Sequence, residues 1–314
     1  MRPRYDLKGG VRGKYQSGTP TETDSATVLR VWAPLIDFPW AGEDKHLTED
    51  TQIRNASAYR GYESPDLELL APLDRTECRD ASHWLSVALP VHGMLSASES
   101  LNTFLLALWL VQPTRTQIKL RFMESPNDKP SVVRILDRFQ WIRGQVSDAD
   151  ISDERLASLE GLLPRLRAAY LQGGRLRNAL VLTFRACVSA DWQAAFICWA
   201  GALESLLTYE RGAGLTARLA AAHQRLLDCS GMPADDSVAQ FKAMYDLRST
   251  ILHGRSYDRD QNADNLNDLA KCSDMVRGAW RAILVSSKSD ELICVLESDD
   301  DVRKRFFTAG EASG

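Results

Sequence analysis

The spacing of apolar positions changes character near residue 150. Before it, short stretches alternate with a period of two. Thr27–Trp32 (TVLRVW) and Gln117–Phe122 (QIKLRF) alternate and are rich in β-branched or bulky residues, and Trp84–Val91 is a more continuous apolar run. All three predict strands, with Pro90 placing the last at a sheet edge. Between the last two lies Ser96–Val111 (SASESLNTFLLALWLV), where Leu101, Phe104, Leu105 and Leu108 recur at helical spacing. Ser96 and Glu99 have the form of a capping box, and Pro113 stands beyond the helix end. Residues 26–145 are therefore expected to form one mixed α/β domain, preceded by a flexible Gly-, Ser- and Thr-rich arm over 1–25.

The polar stretch Gly144–Asp153 (GQVSDADISD) marks a boundary, and the pattern after it is helical. Arg155–Tyr170 carries Leu156, Leu159, Leu163 and Leu166, with Pro164 predicting a kink or a split into two helices. Leu176–Val188, Asp191–Tyr209, Leu215–Leu227, a helix through Phe241 to Leu252, and a last one over about 263–285 follow. Short links between amphipathic helices predict antiparallel neighbours in a bundle over 150–290. Residues 291–314, with the acidic run ESDDD, are expected to be a charged, frayed tail. The expected fold class is α+β: a mixed α/β domain, then an all-α antiparallel bundle.

Composition narrows the picture. With 44% hydrophobic and 25% charged residues, the chain has the make-up of a soluble globular protein. A net charge of −4 supplies no overall pull toward nucleic acid, so any RNA site must rest on a local basic cluster. Six scattered cysteines show no C-x-x-C and predict reduced thiols, not a zinc site. The N-terminus has no apolar stretch behind its basic residues, and the longest apolar run, Phe104–Val111, is too short to span a bilayer. A cytoplasmic protein without membrane association is expected.

Chemistry concentrates at Tyr245-Asp246-Leu247-Arg248-Ser249-Thr250-Ile251-Leu252-His253-Gly254. Four residues separate Arg248 from His253. This stretch resembles the Arg-x4–6-His signature of the HEPN superfamily. Its form, with Trp199-Ala-Gly-Ala-Leu-Glu204-Ser-Leu-Leu upstream, resembles the Apea-like HEPN branch associated with antiphage defence. The resemblance covers about residues 150–290. It implies a HEPN-type bundle, pairing of two copies around a shared groove, and RNA cleavage with Arg248 and His253 as the catalytic pair.

Physical chemistry bears on the same residues. Positions i and i+5 of an α-helix lie about 140° apart, so Arg248 and His253 do not stack on one face. They meet only through a distorted helix or in a cleft between two elements. Histidine can act as base or acid near neutral pH, and arginine steadies phosphate charge. The helical half holds only His223 and His253, so a symmetric homodimer brings together the two histidines an acid–base pair needs. Glu204 lies in an otherwise apolar helix; it is expected either to pair with Arg248 and orient it or to sit at the helix surface. Ser249, where many active HEPN proteins carry Asn, Asp or His, and Arg255 are candidate phosphate contacts. Arg255 and Arg259 read equally as solvated loop residues.

The expected function is metal-independent endoribonuclease activity, in antiphage defence or as a toxin, with no cofactor and no metal. The α/β half is expected to be sensory or regulatory, meeting an activating or inhibiting protein partner. The alternative is a catalytically inactive HEPN dimerisation or interaction module.

Overall fold

The computed structural model describes residues 28–58, 70–90, 95–124, 131–134, 146–208, 214–232, 237–253 and 261–307; the expected arm over 1–25 lies outside them. The protein is α+β. Six strands, β1 (Val28–Leu35), β2 (Lys45–His46), β3 (Thr51–Asn55), β4 (His83–Pro90), β5 (Leu120–Glu124) and β6 (Ser131–Arg134), form one antiparallel sheet in the order β2-β3-β4-β1-β5-β6. Alternation decides its two faces. Val31, Ala33 and Leu35 of β1, with Leu85, Val87 and Leu89 of β4, enter the main core. Trp32 and Trp84 form a second cluster with Leu120, Phe122 and Cys78, the last from helix α1 (Pro72–Asp80).

The strand ending in Pro90 is interior, flanked by β3 and β1, and not at the expected edge. The Ala88 N–H reaches back toward β3, donating to Asp50 O at 2.7 Å. Pro90 has the same parity but lies past the last β3–β4 pair, Thr51–Val87. No ladder bond is required of it there.

Helix α2 (Ala97–Val111) covers the main-core face. The capping box is formed: Ser96 Oγ accepts the Glu99 N–H at 3.2 Å and Glu99 Oε2 accepts the Ser96 N–H at 2.7 Å. Every residue from Thr103 to Leu110 is buried, because α2 also packs on the bundle. The bundle comprises α3 (Asp153–Gln172), α4 (Gly174–Val188), α5 (Trp192–Leu207), α6 (Leu215–Ser230), α7 (Ser237–Leu252) and α8 (Gln261–Leu284). Two short helices follow, α9 (Ser289–Leu296) and α10 (Asp299–Phe306). One hydrophobic core runs from Val31 of β1 to Phe306 of α10, across the composition break near 150.

Two expectations are revised here. Pro164 does not split its helix; α3 is continuous over 20 residues. The proline and Glu160, whose carbonyl loses its N–H partner, are both exposed, so water can serve that carbonyl. Nor is the acidic stretch frayed. Ser298 caps α10, Asp299–Asp301 fill its first turn and Arg303–Arg305 its last, matching both ends of the helix dipole. Val302 and Phe306, four residues apart, are fully buried. Among the described residues no helix is long and apolar enough to cross a membrane.

Candidate functional site

Two helices build the site. The start of α5 is fixed by Asp191, whose carboxylate accepts the Ala194 N–H at 2.7 Å. At its other end, Arg175 of α4 donates to the Leu206 and Thr208 carbonyls at 2.9 and 3.0 Å. Trp199, Leu203, Leu206 and Leu207 bury the apolar stripe, which leaves Glu204 half-buried on the side toward α7. On α7, Phe241 and Met244 enter the core. Phe241, Tyr245 and Arg248 follow one another up a single face at i, i+4 and i+7.

Glu204 and Arg248 meet. Arg248 Nε lies 2.8 Å from Glu204 Oε1, and Arg248 Nη2 donates to Oε2 at 3.2 Å. Tyr245 completes the cluster, donating its hydroxyl proton to Oε1 at 2.6 Å. The Arg248 guanidinium carbon stands 5.2 Å from the Tyr245 ring centroid, within cation–π range. Burial, then the hydrogen bond and charge of Glu204, raise the Tyr245 hydroxyl well above the ordinary phenol value, with Arg248 opposing. It is therefore a donor at any physiological pH. The motif contained Tyr245, but its role was not assigned; its position three residues before Arg248 was the available signal.

Below this cluster the packing is dry. Phe241 stacks on Tyr245 at 5.9 Å between ring centroids and touches His223 of α6 at 5.6 Å. Burial pulls His223 down to about 4, against the hydrogen bond to Met275 O, so it stays neutral. It is a core histidine, 1% exposed.

The other predicted residues stand apart. Ser249 is exposed on α7, and His253 is exposed one residue past its end. The His253 N–H still donates to Ser249 O at 3.0 Å, in the helical i→i−4 pattern. No distortion at this turn swings His253 toward Arg248, so the ~140° separation of an undistorted helix applies. Leu252, between them, is 52% exposed. Arg255 and Arg259 lie outside the described residues. Among those described, no group of three or more His, Cys, Asp or Glu side chains gathers to hold a metal ion. Cys78, Cys187 and Cys272 are buried free thiols.

No family model, curated protein or solved structure matches the chain.

Proposed function

We propose that this protein is a metal-independent endoribonuclease of the HEPN type, active as a homodimer through its helical half, in antiphage defence or toxin-like RNA cleavage. The observation that carries this reading is the Glu204–Arg248–Tyr245 cluster beside an exposed Ser249 and His253. A carboxylate and a phenol hold the guanidinium from behind, which fixes a cation at the surface without consuming all its donors. The exposed His253 would exchange a proton with solvent or substrate. One chain offers one such histidine. A second copy laid over α7 would supply the other and cover Leu252.

In this scheme the RNA's 2′-hydroxyl loses its proton to one His253 and attacks the adjacent phosphorus. The bond to the 5′-oxygen breaks, and the second His253 protonates that oxygen. Arg248 steadies the phosphorane charge. The products are a 2′,3′-cyclic phosphate and a 5′-hydroxyl. RNA carrying a 2′-deoxy nucleotide at the cut resists, because it lacks the nucleophile.

The test is cleavage of RNA by the purified chain in excess EDTA, with the product ends mapped. His253→Ala is expected to abolish activity, and Arg248→Ala to remove roughly 2.7–4 kcal/mol of transition-state stabilisation. A requirement for magnesium, or 5′-phosphate ends, overturns the mechanism. Intact activity in a species that light scattering shows to be monomeric overturns the paired site. Wild-type protein that dimerises and never cleaves would leave the alternative, an inactive HEPN interaction module.

A further inference from the structure

A second cleft opens between the α/β half and the bundle. It is an open groove of about 640 Å³ and shares no lining residue with the Arg248–His253 site. Three arginines line it: Arg155 in the first turn of α3, and Arg277 with Arg281 on α8. Residues four apart on a helix share a face, so Arg277 and Arg281 present like charges side by side. Glu154 is the one carboxylate among the described lining residues, and with Asp274 paired to Arg277 the described charges leave an excess of one positive charge.

Among the described residues only one of the three guanidiniums, that of Arg277, has an ion-pair partner. Arg155 Nη1 donates to the neutral amide oxygen of Gln112 at 2.5 Å. Gln112 is itself buried and fixed, its amide nitrogen donating to Ala149 O at 2.7 Å and Ser147 Oγ at 3.2 Å. Arg277 has a side chain only 20% exposed, and its ion-pair partner Asp274 stands 3.9 Å away. Its Nε donates to the Leu110 carbonyl at 3.4 Å. Arg281 forms no ion pair with any described residue. Burial first, and then the charge of Arg281, pull Arg277 below the ordinary guanidinium value; Asp274 opposes and Arg155 adds to the effect. Concentrated like charge in a partly dry cleft is unfavourable unless an anion offsets it.

The remaining wall is mixed, with Gln112, Ser147 and Ser158 beside an apolar strip. Val111, Leu162 and Val285 line it, and Val285 is 49% exposed, one of four large apolar side chains so left among the described residues. Orthophosphate would leave that strip bare, and an uncharged ring would leave Arg155 and Arg281 without an anion. The volume is that of a small-molecule site.

We propose that this cleft binds a nucleoside di- or triphosphate. Arg155, Arg277 and Arg281 grip the phosphates by their planar forks, and the base lies against Val111, Leu162 and Val285. The ligand would touch α2, α3 and α8 together and so brace the joint between the two halves.

Calorimetric titration of the full chain with ATP, ADP, tripolyphosphate and adenosine, at one ionic strength, tests this without reference to RNA cleavage. ATP and ADP are expected to bind and to raise the melting temperature. Adenosine should give no binding, and tripolyphosphate should bind about tenfold more weakly than ATP. Arg281→Gln is expected to weaken ATP about tenfold or more, the worth of a hydrogen bond to a charged group, while melting like wild type without ligand. Arg277→Gln, which also relieves the repulsion, should weaken ATP similarly. Absence of ATP binding, equal binding of tripolyphosphate, or unchanged affinity in Arg281→Gln overturns the proposal. So does displacement of ATP by a single-stranded RNA oligonucleotide, which would make the cleft a nucleic-acid surface.

Discussion

Helix α5 takes part in two regions of opposite character. At the joint between the halves, Trp199 stacks on Trp109 of α2, with ring centroids 5.3 Å apart and planes 22° from parallel. Elsewhere along the joint, polar groups pair with one another. Trp40 Nε1 donates to Asp153 at 2.8 Å, the Ile151 N–H donates to Pro39 O at 2.7 Å, and Arg167 Nη1 donates to both Asp50 oxygens at 2.8 Å. Five residues beyond Trp199, about 140° around the helix, Glu204 faces α7. There the polar groups are tied on the inside only, and Ser249, Leu252 and His253 are left to solvent. One helix thus contributes packing from one face and, from another, the carboxylate that positions a cation of α7. Substitution should separate the two duties.

The largest effect belongs to the joint. Trp199→Ala removes a buried indole and its stack, and is expected to destabilise the fold by about 3–5 kcal/mol. Its Nε1 has no hydrogen-bond partner, so truncation orphans no polar group and the loss is one of packing. Trp199→Phe should retain most of the stability. Denaturant unfolding measures both; a loss under about 1 kcal/mol for Trp199→Ala would mean that the two halves do not depend on this contact.

The site should answer in the other currency, activity with the fold intact. Glu204→Ala frees Arg248 to leave its position, and cleavage should fall nearly as far as in Arg248→Ala. If Glu204 acts only through Arg248, the double variant is little worse than Arg248→Ala, with a coupling of about 0.5–3 kcal/mol. Losses that multiply in the double variant would show two independent roles. Glu204→Gln, which can accept a hydrogen bond without the charge, should recover part of the activity.

How much of this contrast was legible in sequence depends on how local the cause is. The Ser96–Glu99 capping box and the α2 periodicity could be seen because every participant lies within one helix. The Glu204–Arg248 contact was also foreseeable, since a carboxylate in an apolar helix needs a cation and the motif offered one. The joint was not. It depends on β2 and β3, two and five residues long, too short for a periodic signal. The burial of α2 on all sides also reflects packing that no single segment encodes. Helix α10 is different: Ser298, three acids, three bases and the Val302–Phe306 spacing were all present, but charge density was taken for disorder. Arg277 and Arg281 announce a basic helix face, whereas Arg155, 122 residues before Arg277, reaches it only through the fold.

The smallest expected effect sharpens the comparison from the joint's polar side. Asp50, in the turn between β2 and β3, accepts from Arg167 of α3, whose Nη2 also donates to Thr51 Oγ1 at 2.6 Å. Burial raises the Asp50 carboxyl, but the Arg167 hydrogen bonds and charge, with Thr48 and Thr51, outweigh it and hold the group below its usual value. A carboxylate lowered in the folded state contributes stability that is complete above its unfolded value, about 3.9. That contribution is lost as pH falls through the lower folded value. Arg167→Met keeps the apolar stem and removes the charge. The Asp50 side chain is 38% exposed, so screening limits the difference to less than about 1 kcal/mol. Thermal unfolding of both proteins from pH 7 down to pH 3 should show wild type ahead at neutral pH, with the gap narrowing below about pH 4 and shrinking in high salt. A gap independent of pH and salt would assign Arg167 to packing alone, and the joint would then be held by its aromatic stack and uncharged hydrogen bonds.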